Sequence, residues 1–283
     1  MKVIFLGGDL RQKYATDYLN SHNISSEFYG DILLDEELNG KIYNASAVIL
    51  PIPVSRDNIH LNTVGKQLVK LVELVNHIGK NCIVFGGKFP NNIRDYFIEN
   101  KISYIDYFDI ESFQIKNALL TAEGAIYYAK QRMDKSIHGL EIAILGFGRI
   151  GKMLAYLLRS QGAKITVCVR KDSDCTWSRL TGLNGCIIEN SDNRTNININ
   201  NRYDLIFNTI PSRIMDEEFA KNNNSRSIII DLASYPFGID ESLVNKYNLK
   251  YYRELGIPGR YAPISAGEII GQTIMNYLDI KED

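Results

Sequence analysis

Three glycines at short spacing form the part of the sequence with the clearest chemical meaning. The segment Gly146-Phe147-Gly148-Arg149-Ile150-Gly151 follows the apolar run Ile142–Leu145, and a helical pattern opens inside it. In such a strand–turn–helix unit the first glycine permits the tight turn and the second lets a pyrophosphate approach backbone N–H groups. The third glycine lets the helix pack on the strand. The alternative is a glycine turn in an α/β unit that binds no ligand. The residues predicted to contact a dinucleotide are Gly146, Gly148, Arg149, Ile150 and Gly151.

Two basic residues indicate which dinucleotide is bound. The next predicted strand, Ile165–Val169, ends in Arg170-Lys171. An NAD site usually has an acidic residue here, about 20 residues after the glycines, and that carboxylate would repel a 2′-phosphate. Guanidinium and ammonium groups attract the phosphate instead, so the sequence predicts NADP. The alternative is two solvated surface charges, and the nearby Asp172 and Asp174 weaken the prediction.

The ends of two further predicted strands complete the cofactor site. Asn208-Thr209-Ile210-Pro211 ends one strand, and Asp231-Leu232-Ala233-Ser234 ends the next. Such strand ends border the ribose and nicotinamide of a bound dinucleotide. The residues predicted to do so are Thr209, Pro211, Ala233 and Ser234.

Alternating strands and helices organise the first part of the chain. Buried strands are predicted at Lys2–Gly8, Ser46–Pro51, Asn81–Gly87 and Ile102–Tyr107, and helices at Leu10–His22, Asn62–Asn76 and Asn91–Asn100. The prediction for Asn62–Asn76 depends on apolar residues at helical spacing. A long helical stretch, Glu111–Met133, with Thr121 as a candidate break, then leads to a second series.

The second series repeats the alternation. Its predicted strands are Glu141–Leu145, Ile165–Val169, Asp204–Thr209, Ser227–Ala233 and Leu249–Arg253, and its predicted helices are Arg149–Gln161 and Ser265–Leu278. The asparagine-rich run Asn190–Asn201 predicts a surface loop.

Apolar strands separated by helices indicate parallel sheets that are covered on both faces. The predicted fold class is therefore α/β, with two Rossmann-like, doubly wound parallel-sheet domains and a cleft between them. Residues 1–117 form the predicted substrate-side domain and residues 118–264 the NADP-binding domain, while the closing helix over 265–283 is free to pack back on the first.

Composition excludes several classes of protein. The chain has 283 residues with a formal net charge of −1, so neither nucleic acid nor an acidic membrane is an expected partner. No apolar run approaches the roughly 20 residues that cross a bilayer, and the start of the chain lacks the pattern of a signal peptide, so a cytoplasmic location is expected. The four cysteines and four histidines lack the spacing of metal ligands, and no metal is expected.

Several segments, in order along nearly the whole chain, resemble the family of A-type subunits of dipicolinate synthase, within the D-2-hydroxyacid dehydrogenase superfamily. They are Gly7-Gly8-Asp9-Leu10-Arg11-Gln12, Leu50-Pro51-Ile52-Pro53-Val54-Ser55, Thr121-Ala122-Glu123-Gly124, Asn208-Thr209-Ile210-Pro211, Asp231-Leu232-Ala233-Ser234 and Pro258-Gly259 with Ala262-Pro263 and Ala266-Gly267. Hydroxyacid dehydrogenases have a histidine in the loop before the last helix, where this chain has Ile264. Their arginine after the fifth strand of the cofactor domain is also missing, since that turn is Ala233-Ser234-Tyr235-Pro236. Without the histidine base, interconversion of a 2-hydroxy acid and a 2-keto acid is disfavoured.

The resemblance implies a different oxidation. A dihydrodipicolinate, or its hydroxylated tetrahydro precursor, would become pyridine-2,6-dicarboxylate during sporulation, in the cytoplasm of the mother cell. It also implies a partner, the flavoprotein-like B-type subunit of the synthase, and a homo-oligomer is common for this architecture. Two alternatives stay open. One is an NADP-linked dehydrogenase of another small carboxylate, and the other is a non-catalytic subunit that binds NADP(H).

Candidate substrate contacts follow from this chemistry, which requires groups that bind two carboxylates and accept a proton. Arg11 could clamp a carboxylate, or it could simply pair with Asp9. Ser55 and Arg56 could bind the same anion, or Ser55 could cap a turn with Asp57.

The remaining candidates lie later in the chain. Thr121 could donate to a carboxylate and Glu123 could act as general base, or Thr121 could begin a capping box. Arg260 is either a substrate contact or a solvated loop residue. Ser265 is predicted to cap the closing helix first and bind ligand second, and Tyr235 is a second candidate for proton transfer.

Overall fold

A computed structural model of the chain describes residues 1–65, 67–191, 194–196, 203–223 and 227–278. These residues form two compact units. Unit 1 consists of Met1–Asn117 and the residues from Pro258 onward, and unit 2 is Ala118–Ile257. The predicted second domain ends at residue 264, whereas unit 2 ends at Ile257.

Unit 1 contains a five-stranded sheet in the order β2-β1-β3-β4-β5, and all of its strand pairs are parallel. The strands are β1 (Val3–Leu6), β2 (Ser26–Tyr29), β3 (Ala47–Ile49), β4 (Ile83–Gly86) and β5 (Ser103–Asp106). The helices are α1 (Leu10–Ser21), α2 (Glu36–Tyr43), α3 (Leu71–Val75), α4 (Asn91–Glu99) and the closing α11 (Pro263–Leu278), while α5 (Glu111–Lys130) begins here and continues in unit 2. Apolar clusters cover both faces of the sheet, as its continuous apolar strands require.

The predicted helix over Asn62–Asn76 is wrong for most of its length. Among the described residues of this segment, only Leu71–Val75 is helical. The chain before it folds back on itself, because Leu61 N–H donates to the Val69 carbonyl and Leu71 N–H to the Ile59 carbonyl, both at 2.9 Å. It is also held by the turn that follows β1, since Gly8 N–H donates to the Asn62 carbonyl at 2.7 Å. Val64 and Leu68, which supported the helical pattern, are 75% and 74% exposed. Tertiary pairing therefore overrides the local periodicity.

The closing helix α11 packs on α1 through glycines. A Cβ added at Gly267 would lie 2.7 Å from the Arg11 carbonyl oxygen and 2.9 Å from the Ala15 nitrogen. The two backbones approach this closely only because Gly267 has no side chain. The prediction that Ser265 caps this helix is wrong, since the helix begins at Pro263 and Ser265 is an exposed residue of its first turn.

Unit 2 contains a six-stranded parallel sheet in the order β13-β12-β11-β6-β7-β8. The strands are β6 (Glu141–Leu145), β7 (Lys164–Val169), β8 (Asn184–Ile187), β11 (Leu205–Asn208), β12 (Ile228–Asp231) and β13 (Lys250–Arg253). The helices are α6 (Arg149–Ser160), α7 (Asp172–Leu180), α8 (Glu217–Asn222) and α9 (Glu241–Lys246), and α10 (Ile257–Tyr261) begins at the end of the unit. The strand order reverses between β6 and β11, which is the point where open α/β sheets bind ligands.

The two sheets confirm the predicted fold class of two Rossmann-like, parallel-sheet domains. The candidate break at Thr121 is wrong, because α5 runs unbroken through it and Thr121 therefore begins no capping box. The predicted loop at Asn190–Asn201 is wrong where it is described, since β9 (Glu189–Ser191) pairs antiparallel with β10 (Arg194–Asn196). The rest of that run, and the part of 265–283 after Leu278, lie outside the described residues.

No helix among the described residues is long and apolar enough to span a bilayer. In the same residues, no three His, Cys, Asp or Glu side chains are grouped so that they could hold a metal ion.

Candidate functional site

The turn after β6 requires two of its three glycines for the protein's own packing. Gly146 has φ +100°, and a Cβ there would lie 2.4 Å from the Thr209 hydroxyl oxygen. A Cβ at Gly151 would lie 2.2 Å from the Gly146 carbonyl oxygen, so α6 approaches the turn only with glycine at that position. The turn is therefore tight beside β6 and β11, as the motif predicts.

Gly148 differs from its two neighbours in the motif. Its φ of −74° suits any residue, and a Cβ there would meet no atom of the described residues within 4 Å. Gly148 is also the N-cap of α6 and supplies no side chain to bond the first N–H groups of that helix. The chain itself gives no reason for a glycine here. The space and the uncapped N–H groups fit a pyrophosphate.

A buried polar network fixes the neighbouring strand ends. Asn208 and Asp231 face each other in register on β11 and β12, and both are fully buried. The Asn208 amide Nδ2 donates to Asp231 Oδ1 at 2.8 Å, and Asp231 also accepts from the N–H groups of Ala233 and Gly238 at 3.0 and 2.8 Å. The Tyr251 hydroxyl donates to Asp231 at 2.5 Å. Burial, followed by the hydrogen bond to Asp231, raises the pKa of Tyr251, which therefore stays a proton donor.

Hydrogen bonds at these strand ends hold the turns that carry the predicted cofactor contacts. Thr209 is held because both its N–H and its hydroxyl donate to the Leu145 carbonyl at 2.9 Å. Ala233 is buried, whereas Pro211 and Ser234 are exposed. Asn208 and Asp231 themselves were not among the predicted site residues. The sequence feature that could have indicated these two residues is a polar side chain at the last position of each of two buried strands.

Arg170 and Lys171 follow β7 directly and are both exposed. Within the described part of the chain, neither side chain forms a hydrogen bond or an ion pair, and Asp172 and Asp174 do not pair with them. Both aspartates lie in the first turn of α7, where the positive end of the helix dipole favours negative charge. The two cations are therefore available for an anion.

The candidate catalytic residues of unit 2 lie on two different elements. Glu123 is partly buried in α5, two residues after the buried Thr121. Tyr235 is 79% exposed in the turn after β12, and its ring lies 5.8 Å from that of Phe237, edge to face.

In unit 1, Asp9 and Arg11 are bound to each other. Asp9 is the N-cap of α1 and accepts the Arg11 N–H at 3.0 Å. Arg11 Nε and Nη2 donate to the two Asp9 oxygens at 2.8 and 2.9 Å, and Nη2 also donates to the Ile52 carbonyl at 2.8 Å. Burial raises the pKa of Asp9, but the hydrogen bonds and charge of Arg11, with a smaller effect of Arg56, lower it overall.

The other candidates of unit 1 are a buried serine, two exposed arginines and the exposed Ser265 of helix α11. The Ser55 hydroxyl donates to Asp57 Oδ1 at 3.0 Å, and Asp57 also accepts from the backbone and ring of His60. Those bonds, with the backbone bond of His60 first, lower the pKa of Asp57. Arg56 and Arg260 are both exposed.

The fold and the glycine turn define a class, the two-domain proteins with the architecture of D-2-hydroxyacid dehydrogenases. D-lactate dehydrogenase from Escherichia coli represents the class, with a TM-score of 0.64 at 14% identity over 100% of this chain and 97% of that one. This likeness shows the shared fold.

Within that class, residues 2–108 match the family model for the N-terminal domain of the A-type subunit of dipicolinate synthase. The chain is 26% identical to the A-type dipicolinate synthase subunit of Bacillus subtilis over 98% of its length and 96% of that protein. The crystal structure of the A-type subunit from Bacillus halodurans superposes with a TM-score of 0.85 at 25% identity, covering 98% and 97% of the two chains. The resemblance seen in the sequence is therefore confirmed along the whole chain.

Proposed function

We propose that this chain is the NADP-binding subunit of a dipicolinate synthase, an oxidoreductase that forms pyridine-2,6-dicarboxylate. The observation that carries the proposal is the turn after β6, where Gly148 leaves open space that the chain's own packing does not require. The comparisons support an oxidoreductase role and a nicotinamide dinucleotide as cofactor, because the relatives are subunits of a synthase and the fold is that of dehydrogenases.

NADP rather than NAD is proposed from Arg170 and Lys171, two cations without an ion-pair partner among the described residues. When bound, NADP⁺ supplies the hydride acceptor for the oxidation. The N–H groups at the start of α6, with Arg149, Ile150 and Gly151, would hold the pyrophosphate, and Arg170 with Lys171 would bind the 2′-phosphate. Thr209, Pro211, Ala233 and Ser234 would border the rest of the dinucleotide, on turns held by Asn208 and Asp231.

The proposed substrate is a dihydrodipicolinate or its hydroxylated tetrahydro precursor. Aromatisation of the dihydro ring removes one hydride and one proton, so the chain needs a proton acceptor and groups that bind carboxylates. Glu123 is the proposed acceptor and Tyr235 the second candidate. The proposed substrate contacts are Asp9, Arg11, Ser55, Arg56, Thr121, Arg260 and Ser265.

The relatives are named as subunits, which supports a partner for this chain. We propose that the partner is the flavoprotein-like B-type subunit of the synthase, that the protein acts in the cytoplasm of the mother cell, and that the chain forms a homo-oligomer.

A titration of the purified chain with NADPH and NADH tests the cofactor proposal. We expect tighter binding of NADPH, and Arg170→Ala should weaken that binding about tenfold or more while leaving NADH unchanged, because a charge-assisted contact to the 2′-phosphate is lost. Lys164→Ala is the matched control, since Lys164 lies at the opposite end of β7 and pairs with Glu141 at 2.9 Å. If the chain bound neither NADPH nor NADH, the oxidoreductase proposal would be wrong. Equal loss of NADPH and NADH binding in Arg170→Ala would remove the NADP assignment.

A further inference from the structure

A cavity of about 440 Å³ opens in unit 1 at the carboxyl ends of β3 and β4, and Ser55 is the one candidate substrate contact in its lining. The lining also includes Asn58, Lys88, Asn91 and Asn92. Its volume falls within the range of pockets for small molecules. In open α/β sheets the carboxyl ends of the strands are where ligands bind.

The charged side chain in the described lining of the cavity is positive. Among the described residues, Lys88 is the only charged one that lines it, and no carboxylate does. The Lys88 ammonium lies 4.3 Å from the centre of the Phe108 ring, and it forms no hydrogen bond or ion pair within the described part of the chain. Asn58, Asn91 and Asn92 also line the cavity and carry side-chain amides, and the Asn92 amide donates one hydrogen bond to the Asn58 carbonyl at 3.4 Å. The lining therefore suits an anion.

The backbone conformation of the loop that carries Lys88 is fixed before any ligand binds. Lys88 has φ +58°, a left-handed conformation that is uncommon for lysine. The buried Asp106 holds it there by accepting the N–H groups of Lys88 and Phe89 at 2.9 and 3.0 Å. Arg94 in turn pairs with Asp106, so the negative charge behind the loop is matched. The backbone that carries Lys88 is thus held in place before an anion binds, which reduces the entropy that this loop loses on binding.

Arg11, a second cation near this edge of the sheet, already forms hydrogen bonds within the protein. Arg11 Nε and Nη2 are bound to Asp9 and to the Ile52 carbonyl, and Arg11 does not line the cavity. Lys88 is therefore better placed than Arg11 to bind a carboxylate in unit 1.

We propose that this cavity binds a carboxylate of a small aromatic or heterocyclic dicarboxylic acid, with Lys88 as its charged contact and the amides of Asn58, Asn91 and Asn92 as further donors. That the ligand is a dicarboxylate rests on the proposed function. The carboxylate site itself rests on the cavity and on Lys88, which has no ion-pair partner among the described residues.

Binding of pyridine-2,6-dicarboxylate to the full-length chain, measured by calorimetry in metal-free buffer with EDTA, tests the inference. Lys88→Asn removes the charge and keeps a residue that tolerates left-handed backbone. We expect it to weaken binding about tenfold or more, because a charge-assisted hydrogen bond is lost. Lys88→Arg should retain most of the affinity. Lys101→Asn is the matched control and should leave affinity unchanged, since Lys101 also has a left-handed φ, of +55°, in the same unit.

The site is located independently by amide chemical shifts. In the wild-type chain the ligand should move the amide signals of Lys88, Phe89, Asn91 and Asn92, and these shifts should be lost in Lys88→Asn. No binding by the wild-type chain, or equal binding by wild type and Lys88→Asn, would overturn the inference. NADPH binding to the same samples is measured in parallel. If it persists while dicarboxylate binding fails, the carboxylate site is wrong and the cofactor proposal stands.

Discussion

At the scale of single residues, three glycines of one motif have three different reasons to be glycine. Gly146 has left-handed backbone and Gly151 has a carbonyl oxygen where its Cβ would be, so both are needed for the turn to fold. Gly148 has neither constraint. A side chain at this position would affect only a molecule that approaches the turn from outside. The motif thus contains folding information, and under the proposed function it also contains binding information, so substitutions should separate the two.

We predict opposite consequences for Gly148→Ala and Gly151→Ala. Gly148→Ala should lower the free energy of unfolding by about 1 kcal/mol or less, the cost of alanine at an N-cap, and weaken dinucleotide binding about tenfold or more, because the new methyl group occupies the pyrophosphate space. Gly151→Ala should destabilise the protein by about 1–3 kcal/mol, since its Cβ clashes with backbone. Denaturant unfolding and NADPH titration measure the two effects. If Gly148→Ala bound NADPH as tightly as wild type, the pyrophosphate would not lie over this residue.

At the scale of elements, the contact between α1 and α11 depends on the absence of side chains at two positions. A Cβ at Gly267 would meet the backbone of α1, whereas a Cβ at Gly271 would meet the Tyr18 side chain at 2.7 Å. Backbone cannot move without shifting the whole helix, but a tyrosine side chain can rotate. The two glycines should therefore tolerate substitution differently.

We predict that Gly267→Ala lowers the free energy of unfolding by about 1–3 kcal/mol, and that Gly271→Ala lowers it by less. Gly40→Ala is the control within helix α2. Nothing lies within 4 Å of its Cβ position, so it should stabilise the protein by about 0.5–1 kcal/mol through helix propensity. Chemical denaturation of the three variants decides the order. A cost of Gly267→Ala no larger than that of Gly271→Ala would contradict the close approach of the two backbones.

At the scale of the whole molecule, the chain has the two-sheet plan of a dehydrogenase but lacks the histidine of the hydroxyacid enzymes, where Ile264 stands. A reaction driven by aromatisation needs positioning and carboxylate binding more than a strong base. The relatives are described as one subunit of a synthase, which supports an activity shared within an assembly. The proposed activity should therefore be tested in the presence of the proposed partner subunit.

We predict that the chain, mixed with the flavoprotein-like B-type subunit, NADP⁺ and the dihydrodipicolinate precursor, forms NADPH and pyridine-2,6-dicarboxylate in equal amounts. Absorbance of the two products measures the reaction. The controls are the chain without its partner, and Glu123→Gln, which should lower the rate about a hundredfold if it accepts the proton. NADPH binding without turnover in the complete mixture would favour a non-catalytic role. Turnover of another small carboxylate alone would favour the alternative dehydrogenase.

The sequence by itself determined the fold class, the glycine turn and the strong elements, because these depend on local signals. Apolar runs such as Ile142–Leu145 are unambiguous strands, and Gly146 and Gly151 have the spacing that one turn geometry requires. The pair Arg170-Lys171 was visible for the same reason, as it directly follows a strand.

Tertiary structure decided what depends on distant residues. The residues before Leu71 have helical spacing but form other backbone bonds, since the Asn62 carbonyl accepts the distant Gly8 N–H at 2.7 Å and Leu61 N–H donates to the Val69 carbonyl. Short elements such as β2 and β8 were not predicted, since they gain stability from strands far along the chain. The Asn208–Asp231 bond and the Lys88 cavity join residues that are far apart in sequence or lie on separate loops. Their partners become neighbours only when parallel strands align their carboxyl ends, and no local pattern contains that information.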